Sequence, residues 1–250
     1  IALGPALRLA ASRGMKAGIR RLPYDRIGVG GLIQQAVSNV ERWHHGGNTH
    51  LGISMLFIPL AAAAGATLSS MGAIEPSELR RSVMRVMRFT TPMDSVKLYE
   101  VVKMVSGGWW GRLYSKKGPP DLNDPDAEKK IIEGGFNLLQ VMKYSARWDN
   151  IAEEWATGMK IAFRIGYPTF TDTYSKHQNV NVATVHTFLT ILSKKPDTFI
   201  ARKYGLGKDP DIRTAFQTGI SKAKEVSKKA QEMLKLGGLL TDRGRRAIFQ

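Results

Sequence analysis

The sequence predicts an all-α protein, one compact multi-helical domain over residues 1–250 with a buried helix at its centre. Three observations predict it. Apolar residues recur at three- and four-residue spacing almost throughout, and strict alternation over the length of a strand is hard to find. Residues 51–74 carry no charged side chain. No internal repeat, Pro- or Ser-rich linker or sharp shift of composition divides the chain.

The elements follow in order. The opening Ile1-Ala2-Leu3-Gly4-Pro5-Ala6-Leu7 reads as the inside of an apolar helix, so the natural N-terminus is expected to lie upstream; no secretory signal is visible in this start. Leu32, Ile33, Ala36, Val37, Val40 and Trp43 form one helical stripe. Leu79, Val83, Val86 and Met87 form another, started by Pro76. A helix from about Asp94 stops at Gly107-Gly108, and residues 108–126 read as a long loop with Pro119-Pro120 and Asp121, Asp124 and Asp126. Helical spacing resumes at Leu138, Leu139, Val141 and Met142. It returns at Ile151, Ala152, Trp155, Met159 and Phe163, ending near Gly166-Tyr167-Pro168. Val182, Ala183, Val185, His186 and Leu189 make a further helix; Asp197 or Thr198 caps a short one carrying Arg202 and Lys203. The last long helix sets Ile212, Phe216, Ile220, Ala223, Val226, Ala230 and Leu234 on one face, and Gly237-Gly238 ends it.

The uncharged run is long enough to raise a transmembrane span. Pro59 breaks it, Ala61 to Ala64, Gly65 and Ala66 make it small-sided, and Ser69, Ser70 and Gly72 fill its last third. It reads as a buried core helix followed by a turn, and no membrane association is expected. With no cysteine, disulfides and thiolate metal sites are excluded, and a cytoplasmic setting is the default. Lys and Arg number 37 against 21 Asp and Glu, a net charge of +16 that favours anionic partners without choosing among nucleotides, nucleic acid and anionic lipid.

Gly46-Gly47-Asn48-Thr49-His50-Leu51-Gly52 combines flexible backbone, polar side chains and the start of the buried helix. Such a start offers amide groups to an anion, or Asn48, Thr49 or His50 serves as its cap. Other candidates fail on geometry. Gly28-Val29-Gly30-Gly31 lacks the preceding strand of a dinucleotide fingerprint. Asp121, Asp124 and Asp126 lack the glutamate of a calcium loop. His44 and His45 cannot chelate as an i, i+4 pair would, and His177 and His186 have no matching partners. Trp109-Trp110 could stack on a base, with packing of a loop onto the core as the plainer reading.

The run Asn48-Thr49-His50-Leu51-Gly52, with Ser54-Met55-Leu56-Phe57 and the Ala-rich helix after it, resembles the signature of the triphosphoribosyl-dephospho-CoA synthase family, including its archaeal-type members. Two further stretches resemble it in the same order. These are Asn137-Leu138-Leu139-Gln140-Val141-Met142 with Arg147-Trp148-Asp149-Asn150-Ile151-Ala152-Glu153-Glu154, and Pro196-Asp197-Thr198 with Arg202-Lys203 and Gly205. Leu51 stands where bacterial members usually carry Lys or Arg, and the family's upstream Lys-Pro-Gly and Ser-His-x-Asp segments are not in the sequence.

The resemblance implies a transferase that moves the triphosphoribosyl group of ATP to 3′-dephospho-CoA and releases adenine. It implies Asp149 and Asp197 as the carboxylates of that chemistry and as ligands for Mg²⁺ travelling with the triphosphate. Asn48, Thr49, His50 and Gly52 are then expected at the phosphates or ribose, together with Thr198, Arg202 and Lys203. N-capping is the plain alternative for each carboxylate, and a solvated helix face for the two cations. Two other functions stay open: a ribosyl or phosphoribosyl transfer in another cofactor pathway, and a non-enzymatic basic module binding nucleic acid. Nucleic acid is not the expected partner, and oligomeric state is not readable.

Overall fold

Residues 2–43, 50–106, 111–114 and 118–249 are described by the computed structural model; among them the chain is all-α, with thirteen α-helices and no β-strand. Contacts gather the chain into two units. The first comprises Ile1–Arg147 and Ile151–Gly158, the second Trp148–Asn150 and Met159–Gln250.

In the first unit, α1 (Gly4–Gly18), α2 (Val29–Glu41) and α3 (Leu51–Met71) supply much of the core. Helix α3 is the predicted buried helix, with Ile58, Ala62 and Ala63 fully covered. Glycine lets α1 and α3 touch backbone to backbone: a methyl group on Gly14 would lie 1.9 Å from the Ala62 carbonyl oxygen, and one on Gly65 2.1 Å from that of Ala11. Gly72, at φ 76°, closes the helix in the left-handed conformation.

Pro59 does not break α3, contrary to expectation. A proline at this point cannot donate to the carbonyl of Met55, four residues back. The indole Nε1–H of Trp155 donates to that oxygen instead, at 3.0 Å. Trp155 is 1% exposed, so an orphaned acceptor buried in the core acquires its donor from outside the helix.

Helices α4 (Pro76–Arg88) and α5 (Pro92–Ser106) follow the predicted stripes. The Gly28–Gly31 run packs α2 on α5: a methyl on Gly30 would meet the Asp94 carbonyl oxygen at 2.2 Å. The Asp94 carboxylate, 4% exposed, accepts from Gly30 N at 2.8 Å and Thr91 N at 2.7 Å. Trp43, expected on the apolar stripe of α2, lies beyond its end and is 85% exposed. In the long loop, Asp121 accepts from Asn123 N and Asp124 from Asp126 N, so their carboxylates order the turn that enters α6 (Ala127–Glu133). A capping box of Asn137 and Gln140 starts α7 (Leu138–Ser145).

The helix expected from Ile151 to Phe163 is interrupted. α8 (Asn150–Thr157) ends at Gly158 and Met159, both at positive φ, and Arg80 donates from Nε to Gly158 O and from Nη2 to Thr157 O. A guanidinium at terminal carbonyls satisfies acceptors that no longer have helical partners.

In the second unit, a π-helical turn at Ala162–Gly166 runs directly into α9 (Tyr167–His177), so Gly166-Tyr167-Pro168 continues a helix where an end was expected. Pro168 falls in the first turn, where its missing N–H is tolerated. Helices α10 (Val180–Lys194), α11 (Thr198–Leu206) and α12 (Ile212–Lys235) follow, then α13 (Asp242–Phe249). The buried face of α12 is Ala215, Gly219, Ala223, Ser227 and Ala230; Ala223 and Ala230 were expected on it, whereas Ile212, Phe216, Ile220, Val226 and Leu234 are only half-buried. A methyl on Gly205 would lie 1.8 Å from Ala215 O and one on Gly219 1.9 Å from Ala201 O, so α11 and α12 are in backbone contact.

Candidate active site

Two of the separated sequence stretches meet in the second unit. Asp197 ends the approach to α11 as its N-cap, its Oδ1 accepting from Phe199 N at 2.7 Å and Ile200 N at 3.3 Å. Thr198 turns inward, 9% exposed, and its hydroxyl accepts from Asn150 N at 2.9 Å. Thr198 thus satisfies the first amide of α8 from another helix. The Asn150 side chain donates back from Nδ2 to Pro196 O at 3.0 Å.

One turn further along α11, Arg202 Nη1 donates to Asp149 Oδ2 at 2.5 Å, with side-chain exposures of 11% and 18%. Arg202, expected at the phosphates with a solvated helix face as the alternative, is buried and its charge is directed at Asp149. Lys203 is exposed. Successive helical residues differ by about 100° in direction, so only one of the pair can turn inward. Asp149, Asn150, Pro196, Thr198 and Arg202 therefore form one hydrogen-bonded junction, with Asp197 capping at its edge.

The start of α3 belongs to the first unit. Asn48, Thr49, His44 and His45 lie outside the described residues, as do Gly107, Gly108, Trp109 and Trp110. His50 is the N-cap of α3 by position, and its carbonyl accepts from Ser54 N at 2.9 Å and Ser54 Oγ at 2.8 Å. Leu51 is 4% exposed, so the position that differs from bacterial members faces the interior. Gly52 stands in the first turn, where an added methyl would reach ordinary contact with Ile151 Cδ1 at 3.6 Å. With Trp155 on Met55, this sets α8 against the first turns of α3.

Glu154, on the same helix, is a carboxylate only 6% exposed that sequence reasoning left without a role. Its signal was present: it lies three residues after Ile151 and next to Trp155, at the margin of an apolar face. His186 in the second unit has a pKa held below the ordinary value, first by burial and then by the charge of His177, with Asp172 acting in the opposite sense. Among the described residues no three His, Asp or Glu side chains gather as a metal cage. Asp197 Oδ2 takes no part in the cap, a donor of the kind that an Mg²⁺ carried by a triphosphate would take.

A crystal structure attributed to a triphosphoribosyl-dephospho-CoA synthase from Archaeoglobus fulgidus is similar to this chain, with a TM-score of 0.62 and 22% identity over 96% of this chain and 84% of that one. At that identity the likeness speaks for the fold. Among curated proteins there is no significant match. The family model described as ATP:dephospho-CoA triphosphoribosyl transferase (CitG) matches residues 1–250. The chain therefore belongs to the ATP:dephospho-CoA triphosphoribosyl transferase family, enzymes that move the triphosphoribosyl group of ATP to dephospho-CoA.

Proposed function

We propose that the junction of Asp149 and Arg202 is the charged element of the transfer site, with MgATP as the donor bound there and dephospho-CoA as the acceptor. The observation that carries this reading is the closure of two sequence-distant stretches onto one another by three polar contacts: Arg202 to Asp149, Asn150 N to Thr198 and Asn150 Nδ2 to Pro196. In the reaction the bond between ribose C1 and adenine breaks, a bond from C1 to an acceptor hydroxyl oxygen forms, and the hydroxyl proton ends on adenine. Positive charge develops at C1 on the way, and a fixed carboxylate stabilises it or receives the proton. Asp149 has that role; Arg202 is its positioning residue. Lys203, on the exposed side of α11, and Asp197 Oδ2 serve the Mg-triphosphate. For His50 and Gly52, with Asn48 and Thr49, a substrate-binding role rests on the family resemblance of that stretch. A cytoplasmic location suits an enzyme that draws on ATP.

The test is incubation of the protein with MgATP and dephospho-CoA, following free adenine by chromatography. Adenine without ADP or AMP is the expected product. Asp149→Asn is expected to lower the rate by roughly 10²-fold or more while the helical circular dichroism is kept. An Asp149→Asn enzyme with the wild-type rate would overturn the assignment.

A further inference from the structure

The first unit contains a cleft of about 500 Å³ lined by Gly18, Arg20, Leu22, Tyr24, Ser70 and Arg85, among others. Two guanidinium groups share it, and no carboxylate lines it. Arg85 lies 4.6 Å over the Tyr24 ring, whose neighbour is Phe89 at 5.8 Å between centroids. Stacking of this kind restricts a guanidinium and leaves its N–H edge for the oxygens of a phosphate or carboxylate.

The arginines around the cleft are committed differently. On α4, Arg80 caps α8 and Arg81 is bonded to Glu78; on α1, Arg13 donates from Nη1 to Ile27 O at 2.8 Å. Among the described residues neither Arg20 nor Arg85 forms an ion pair or donates to a terminal carbonyl. Helix ends nearby favour a cation in general, but a capping role would show as such a bond, as it does for Arg80.

The backbone gives a separate indication. Arg20 has φ 60°, with Arg20 N bonded to Ala17 O at 3.1 Å and Arg21 N to Lys16 O at 2.8 Å. This is the left-handed closure of α1, a position that glycine fills without steric cost. Arginine is strained there, and strain is retained where the side chain itself is needed.

We propose that this cleft is an anion site that binds the phosphates of a small, nucleotide-sized ligand through Arg20 and Arg85. Its volume is in the range of ligand pockets, and two unneutralised cations in one concavity repel until an anion enters. The site does not depend on the reading of Asp149 and Arg202.

Arginine footprinting of the full chain with phenylglyoxal, read by mass spectrometry with and without inorganic tripolyphosphate, resolves it. Tripolyphosphate is expected to slow modification of Arg20 and Arg85 by about tenfold, the scale of a charge-assisted hydrogen bond, and to leave Arg88 unchanged. Arg20→Gly is expected to abolish protection of Arg85 while raising the melting temperature, because the strain is relieved; a purely structural Arg20 would lower it. Equal protection at Arg20, Arg85 and Arg88 would show a diffuse charge effect and overturn the site, as would no protection at all. Dephospho-CoA and ATP in place of tripolyphosphate identify which natural phosphate source is bound.

Discussion

Two arginine-bearing regions, the junction at Asp149 and the cleft at Arg20, use the same side chain in opposite ways. At the junction Arg202 is buried and its charge is met by Asp149, so it holds other groups in place. In the cleft Arg20 and Arg85 face a concavity without a carboxylate in its lining, so they are placed to receive something. Net charge counts both alike. What separates positioning from binding is whether the protein supplies the counter-ion itself.

The strongest break to this comparison is truncation on both sides. Arg202→Ala removes the ion pair with Asp149 and is expected to cost about 3 kcal/mol. Arg85→Ala is expected to stay within about 0.5 kcal/mol, as for exposed positions. Urea denaturation of the two variants measures this, and equal losses would erase the distinction.

A neutral counterpart sharpens it. Trp155→Phe removes the donor to Met55 O and is expected to cost about 2 kcal/mol through an unsatisfied buried carbonyl. In a Pro59→Ala background, where the backbone can supply a donor again, the same change is expected to cost clearly less. A double-mutant cycle by denaturation reads the coupling.

Asp197 separates capping from charge. Asp197→Ala is expected to lose about 1 kcal/mol with the cap, whereas Asp197→Asn keeps stability because asparagine caps equally well. If Asp197→Asn is stable yet slow in adenine release, the negative charge serves the Mg-triphosphate; if it is stable and fully active, the residue is a cap alone.

The smallest effect is on pH. The folded-state pKa of His186 is depressed, so the unfolded chain takes up more protons as pH falls below about 6.5. Stability is expected to decline from that pH down to the folded pKa and to change no further below it. His186→Gln should flatten this part of a melting-temperature against pH curve; an unchanged slope would assign it to other groups.

The helices legible in the sequence were those with a stripe of larger apolar residues: α2, α4 and α10 lie where the spacing put them. α9 was not, because Thr173 is the one residue it buries and its exposed face carries Thr, Asp, Ser and Lys. α12 was legible with only part of its buried face, Ala223 and Ala230. Small residues are buried there because α11 approaches backbone to backbone, and hydrophobicity ranks Ala215 and Gly219 below Phe216 and Ile220. At the site, Asp197 was readable as a cap because its donors follow it in sequence. The ion pair of Asp149 and Arg202 was not, since no local spacing joins residues 53 positions apart.

Pro59 bears on how the chain is made. By length and hydropathy α3 qualifies as a membrane span, and it leaves the ribosome well before the tryptophan that completes it. Until residue 155 is synthesised, the Met55 carbonyl has water as its donor. A lone copy of this helix in lipid would have none, at a cost of several kcal/mol. The proline is thus tolerated because the chain folds on itself and brings the Trp155 indole to the carbonyl that the helix leaves open.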